Sequence, residues 1–445
     1  MKILFISLGC DKNLVDTEHM LGLLAGRGYE MTDDETEADV IIVNTCCFIH
    51  DAREESISGI LEMAGQRKNG RCRALVVTGC LAQRYGQEIL DEIPEVDAVL
   101  GTNSYGRLPQ VLDGVLGGSR ELVMEPLEGL PDNRGKRVMT TGGHYEYLKI
   151  AEGCDKHCTY CVIPSLRGSY RSVPMEELLE EARRLAEDGV KELILVAQET
   201  TVYGKDLYGK KSLHVLLKKL CEIPGLSWIR VLYCYPEEIY PELVQVMKEE
   251  PKICHYLDLP IQHGCDAVLK RMGRRTGKEE LKSIVELLRK EMPDIVLRTT
   301  LITGFPGETE EQHQELLEFV DEMEFDRLGV FTYSREDGTP AAEMAGQIDE
   351  EVKEKRKDEL LSLQQEISLE KGEQKVGQVL DVLIEGYMAE ERAYVGRTRG
   401  DAPDVDGYFF LNTGETLNTG DIVRARVTGA LEYDLIGEME DEFAQ

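Results

Sequence analysis

Three times in the first third of the chain an apolar run stops at a cysteine and gives way to a helical pattern. Lys2 to Leu8 runs into Gly9-Cys10, Asp39 to Val43 into Asn44-Thr45-Cys46, and Ala74 to Val77 into Thr78-Gly79-Cys80, at spacings of 36 and 34 residues. Helical spacing follows each run, over residues 15–27, 52–66 and 81–93. Strand, helix, strand at this period specifies βαβ units around a parallel sheet, to which residues 96–100 add a candidate strand. Ligands gather at the carboxyl ends of such strands. All three cysteines fall there although they are far apart in sequence.

The repeat occupies residues 1–117 of 445, and the length leaves room for about two to four domains. Residues 118–143, with Gly117-Gly118, Pro126, Pro131 and Gly142-Gly143, read as a linker. A second alternating region covers 144–373. Its strands are expected over 145–150, 192–197, 229–233, 256–259, 295–302 and 327–331. Helices are expected at 175–187, 237–248, 278–290 and 310–322, with a closing helix at 349–371. Five or six β/α units point to a partial (β/α)6 barrel. Residues 374–445 change texture to short β-rich segments (379–385, 394–397, 408–411, 422–430), which predicts a small all-β barrel. The chain as a whole is α/β.

With 51 Lys and Arg against 84 Asp and Glu, the net charge is −33. Phosphate neutralisation needs clustered cations, so nucleic acid is a poor general partner and a basic protein a better one. No apolar run approaches the roughly 18 residues of a membrane span, and residues 1–10 read as a strand rather than a signal peptide. These features place the protein in the cytoplasm, where twelve cysteines suggest metal or redox chemistry instead of disulfides.

The densest cysteine signal is Cys154-x3-Cys158-x2-Cys161, directly after the strand expected at 145–150. Three thiolates on one loop suit a four-iron cluster whose fourth iron stays open to a ligand. A structural zinc site made of the same three cysteines and His157 is the other reading. Zinc motifs usually pair such a group with a second one further on, and none follows. Cys72, Cys221, Cys234, Cys254 and Cys265 lack metal spacing, and Cys47 competes with its neighbour Cys46.

Tyr160 directly before Cys161 makes the motif resemble that of the radical S-adenosylmethionine superfamily. Glu152-Gly153-Cys154, Cys161-Val162-Ile163-Pro164, Arg167-Gly168 and Arg171-Ser172 resemble its methylthiotransferase branch. Cys10, Cys46 and Cys80 match that branch's N-terminal domain, and the tail is similar to a TRAM domain. Two stretches, Ser7-Leu8-Gly9-Cys10-Asp11-Lys12-Asn13-Leu14-Val15-Asp16 and His144-Tyr145-x-Tyr147-Leu148-Lys149-Ile150, resemble the members that add a methylthio group to an aspartate β-carbon of ribosomal protein uS12. Sister enzymes that modify a transfer-RNA adenosine typically carry Gln-Met-Asn after the first cysteine, where this chain has Asp11-Lys12-Asn13.

The resemblance implies two [4Fe-4S] clusters, one on Cys154, Cys158 and Cys161 and one on Cys10, Cys46 and Cys80. The first would bind S-adenosylmethionine and cleave it to a 5′-deoxyadenosyl radical, and the second would hold sulfur for transfer. It also implies an electron donor such as flavodoxin or ferredoxin. Tyr160 would touch the adenine through its backbone. Gln198 and Glu199, after the strand at 192–197, fit the ribose or amino group, or else form a solvated loop. Thr300 and Gly304 belong to an adenine-contacting element, with Glu308 one place late. Arg298 pairs either with the cofactor carboxylate or with a protein carboxylate, and His263 is either a site residue or a hydrogen-bonded loop histidine. In the tail, net −10 over 373–445 favours a basic protein partner. Tyr387, Tyr394, Tyr408, Phe409 and Phe410 either pack the barrel or stack bases. Arg392, Arg397, Arg399, Arg424 and Arg426 leave a local basic face open.

Overall fold

The structure is a computed structural model and describes residues 1–131 and 135–440. The last five residues of the tail and three of the linker therefore lie outside the described residues. The chain begins with β1 (Lys2–Ser7), α1 (Asp11–Ala25), β2 (Glu30–Met31), β3 (Val40–Thr45), α2 (His50–Asn69), β4 (Ala74–Gly79), α3 (Cys80–Glu92), β5 (Ala98–Leu100), α4 (Leu108–Leu116) and β6 (Glu121–Val123). The strands form one parallel sheet in the order β2-β1-β3-β4-β5-β6. β3 and β4 are buried along their whole length, as strands covered on both faces must be. Their alternation divides the core in two. Ile41, Val43, Leu75 and Val77 pack with residues of α2 and α3, while Val40, Ile42, Ala74 and Val76 pack with residues of α1 and α4. β6 corrects the sequence reading of 118–143, because part of that linker pairs with β5 and completes the sheet.

The chain continues through β7 (Tyr145–Lys149), β8 (Ala151–Glu152), α5 (Ile163–Arg167) and β9 (Arg171–Ser172). Then come α6 (Met175–Glu187), β10 (Glu192–Val196), α7 (Lys205–Tyr208), α8 (Leu213–Cys221), β11 (Trp228–Val231), α9 (Pro241–Glu249), β12 (Ile253–Asp258), α10 (Asp266–Arg271), α11 (Lys278–Glu291), β13 (Val296–Thr303), α12 (Glu310–Met323), β14 (Arg327–Thr332) and α13 (Glu350–Glu373). The order β14-β13-β12-β11-β10-β7 leaves the six-stranded sheet open, as in a partial barrel. The tail strands β15 (Val379–Met388), β16 (Ala393–Thr398), β17 (Phe409–Asn412), β18 (Ile422–Ala430) and β19 (Leu435–Met439) close into a five-stranded barrel. Its core is Val382, Ile384, Phe409, Leu411, Ala425, Val427 and Leu435.

Two compact units result. One comprises Met1–Thr140, Lys149–Val173 and Ser334–Ala342; the other comprises Thr141–Leu148, Pro174–Tyr333 and the chain from Glu343 onward. In the second unit a buried ionic layer joins the tail barrel to the open sheet. Glu192 on β10 accepts hydrogen bonds from Arg230 Nε and Arg397 Nη2, both at 2.7 Å, with all three side chains fully buried. Arg397 also donates to Glu385 at 2.7 Å, Arg327 pairs with Asp401, and Tyr256 donates to Asp406 at 2.7 Å. No helix among the described residues is long and apolar enough to cross a membrane.

Candidate active site

Both cysteine triads lie in the first unit. Cys10 stands at the N-cap of α1, Cys46 directly after β3, and Cys80 opens α3 directly after β4. Close packing of the turns brings the first two together. Gly9 has φ +93°, and a Cβ built there would lie 2.6 Å from Cys46 Cβ and 3.0 Å from its Sγ, so only glycine fits. Asn13 braces two of the turns by donating from Nδ2 to the carbonyls of Leu8 and Thr45, each at 3.0 Å. Cys46 is fixed through Ser56, whose hydroxyl accepts from its amide at 2.9 Å and donates to its carbonyl at 2.8 Å. Cys47 is fully buried within an apolar cluster.

The second triad sits on the loop between β8 and α5. β8 pairs antiparallel with β9, and Cys154 N donates to Gly168 O at 3.2 Å, so the loop is pinched at its base. Gly153, at φ +77°, makes this possible, since a Cβ there would lie 2.1 Å from Ser169 O. Cys154 and Cys158 are buried and Cys161 is half-buried. Tyr160 is half-buried in the same loop.

Both triads suit a buried metal–sulfur centre. Burial, then the neighbouring Cys80 and Cys10, push the Cys46 thiol up to about 12. Burial, then Cys158 and Cys154, push Cys161 up to about 12. Thiols crowded in this way ionise when a metal centre supplies the compensating charge. Among the described residues no three His, Cys, Asp or Glu side chains converge as the ligands of one ion would. A four-iron cluster spreads its thiolates over separate irons.

Comparison with known proteins agrees with this arrangement. The family model described as Uncharacterized protein family UPF0004 matches residues 2–101, the Radical SAM superfamily matches 148–320, and the TRAM domain matches 376–439. The "Ribosomal protein uS12 methylthiotransferase RimO" of Lachnoclostridium phytofermentans is 62% identical over 99% of this chain and 100% of its own length. Proteins of the same name from Pelotomaculum thermopropionicum and Clostridioides difficile are 53% and 48% identical over 98% and 100% of this chain, and 99% and 100% of their own. The chain belongs to the RimO family. Among solved structures, the radical S-adenosylmethionine methyltransferase TsrM of Kitasatospora setae, with cobalamin and a [4Fe-4S] cluster bound, matches with a TM-score of 0.53. The identity is 14%, over 76% of each chain, a likeness of fold alone.

In this RimO-family chain the remaining expected cofactor residues lie in the second unit. Gln198 follows β10, and its Oε1 is buried without a hydrogen-bond partner, as an atom awaiting a ligand would be. Glu199 is buried and accepts from Thr201 N at 2.9 Å, which shapes the turn. Gly304, after β13, has φ +71°, and a Cβ there would meet Lys353 Cγ at 2.3 Å. Arg298 and Thr300 are placed differently. Arg298 Nη1 donates to Asp258 at 3.1 Å and to Thr300 Oγ1 at 3.3 Å, and Nε lies 3.4 Å from Asp406. Arg298 thus pairs with two protein carboxylates. Glu308 accepts from Arg356 at 2.9 Å and lies 3.5 Å from His263, while His263 Nδ1 accepts from Cys265 N at 2.9 Å. These two residues hold the loops after β12 and β13.

The sequence reading did not single out the charges packed beneath the thiols. Lys149 is ion-paired to Asp16 and Glu152, and Arg167 Nη1 donates to Asp16 at 2.8 Å and to Glu152 at 3.3 Å. All four side chains are at most 5% exposed. Arg167 Nη2 reaches Asn13 Oδ1 at 2.6 Å and Cys80 Sγ at 3.7 Å. The Arg167-Gly168 pair beside the second triad was the available signal, but its partner Asp16 is 151 residues away.

Proposed function

We infer that the protein is a radical S-adenosylmethionine methylthiotransferase that places a methylthio group on the β-carbon of an aspartate of ribosomal protein uS12. The observation that carries this reading is the presence of two cysteine triads in one unit of a chain 62% identical, end to end, to a uS12 methylthiotransferase. Cys154, Cys158 and Cys161 hold one [4Fe-4S] cluster, and Cys10, Cys46 and Cys80 hold the other. When bound, the clusters and S-adenosylmethionine supply one-electron cleavage of the sulfonium, hydrogen abstraction and sulfur transfer.

The chain's residues supply placement and exclusion of water. The pinched β8–β9 base holds three thiols on a short loop, and the buried Lys149–Asp16–Glu152–Arg167 cluster fixes that loop against the helix that follows Cys10. Gln198 Oε1 offers an acceptor to the cofactor's hydroxyl or amino hydrogens, and the left-handed turn at Gly304 lets backbone approach it. Reducing equivalents come from a small electron carrier such as flavodoxin or ferredoxin. The work is cytoplasmic, where ribosomal proteins are made.

A MiaB-like reading, with a transfer-RNA adenosine as acceptor, is not favoured. The basic face it would use on the tail barrel is depleted, with Arg392 alone exposed and without a carboxylate partner among the ion pairs that follow. Arg397 is fully buried in the ionic layer, Arg399 hydrogen-bonds Pro251 O, and Arg424 and Arg426 both pair with Glu440. Replacing Cys154, Cys158 and Cys161 together by Ala tests the reading. Iron content should fall by about half and reductive cleavage of S-adenosylmethionine should stop. Full iron, or a protein that binds zinc alone after anaerobic reconstitution, would refute it.

A further inference from the structure

We propose that Arg167 is a positioning residue for the N-terminal iron–sulfur centre, setting the charge and the reduction potential of the group held by Cys10, Cys46 and Cys80. The inference rests on the two-cluster reading above and concerns a residue of the opposite loop. Arg167 follows Cys161 by six residues, yet its guanidinium turns away to the other triad. Nη2 donates to Asn13 Oδ1 at 2.6 Å and approaches Cys80 Sγ at 3.7 Å. Asn13 in turn donates to the carbonyls of Leu8 and Thr45. A single guanidinium thus touches the third thiol and, through one amide, the turns that carry the first two.

The orientation is fixed from behind. Nη1 is held by Asp16 at 2.8 Å and Glu152 at 3.3 Å, both of which also pair with Lys149. Arg167 is 3% exposed, so its charge is little screened by solvent. Hydrogen bonds to cluster sulfurs, net charge and solvent exposure set the potential of an iron–sulfur centre, and outer partners of ligands orient them. A permanent cation against a ligating sulfur makes the arriving electron easier to accept. Removing that cation should lower the potential, and removing an anion that shares it should raise it. A purely structural role for the cluster gives no reason for opposite signs.

The test isolates the N-terminal centre in full-length protein with Cys154, Cys158 and Cys161 replaced by Ala. The readouts are iron and labile sulfide per chain and the midpoint potential by electron paramagnetic resonance. Arg167→Gln should shift the reduction equilibrium at least about tenfold toward the oxidised form, about 59 mV for a one-electron couple. Arg167→Lys should keep most of the original potential, and Asp16→Asn should shift it the other way. If Arg167→Gln loses its iron, the sign of the Asp16→Asn shift decides. Potentials that do not move, or that move the same way in both charge variants, overturn the proposal. If the background protein holds no iron at all, the two-cluster reading fails first and takes the proposal with it.

Discussion

At the scale of single residues, the N-terminal site depends on glycines as much as on cysteines. The left-handed φ of Gly9 and the 2.6 Å approach of its would-be Cβ to Cys46 leave no room for alanine. Gly9→Ala should cost about 1–3 kcal/mol in strain and displace Cys46. The expected outcome is loss of about half the iron with cleavage of S-adenosylmethionine retained, measured by metal analysis and by 5′-deoxyadenosine formation. Cleavage lost together with all iron would show that the site is not local. Gly9 and Cys10 are visible in the sequence as the end of an apolar run. The contact of Arg167 with Cys80 is not, because ion pairs between distant segments carry no sequence period. Arg298 shows the same limit, since its partners Asp258 and Asp406 come from another strand and from the tail.

At the scale of elements, the apolar parallel strands were legible because burial on both faces leaves uninterrupted apolar runs such as residues 40–43 of β3. Short or broken elements were not. β2 has two residues, β6 is a three-residue edge strand, and β19 contains Gly437, against which Phe409 packs so closely that a Cβ would lie 2.4 Å from its ring. The joint between the tail barrel and the open sheet was also hidden, because it is made of buried charges. Glu192 is its centre. Burial raises its carboxyl pKa, but Arg230 and Arg397 outweigh this and hold it below the usual range. Its contribution is therefore present above the unfolded value of about 4.3 and lost as pH falls through the folded pKa. Glu192→Gln leaves Arg230 buried without its anion and Arg397 with Glu385 alone, so unfolding should become easier by about 3–5 kcal/mol at neutral pH. Denaturant titrations at a series of pH values should show the difference from the parent shrinking below about pH 4. A constant difference across that range would contradict the ionic account.

At the scale of the whole molecule, a net charge of −33 makes a basic protein the natural substrate. Of the tail-barrel arginines, Arg397 is buried and Arg424 and Arg426 share the single carboxylate of Glu440, while Arg392 is exposed. Binding of the full chain to uS12 should weaken as salt rises from low to physiological levels, and transfer RNA should bind poorly at either. Salt-insensitive uS12 binding, or tight transfer-RNA binding, would contradict this. The fold class, a parallel sheet, an open six-stranded sheet and a small closed barrel, was legible from composition and period, whereas the grouping of residues 149–173 with residues 1–140 in one compact unit follows from contacts between distant segments. The identity of the methylthio acceptor separates the protein-modifying from the transfer-RNA-modifying reading. The most direct measurement is mass spectrometry of uS12 and of transfer RNA after anaerobic incubation with reconstituted protein, S-adenosylmethionine, sulfide and a reductant. The account predicts one methylthio group on one uS12 aspartate and unmodified transfer RNA; unmodified uS12 beside a methylthiolated adenosine would contradict it.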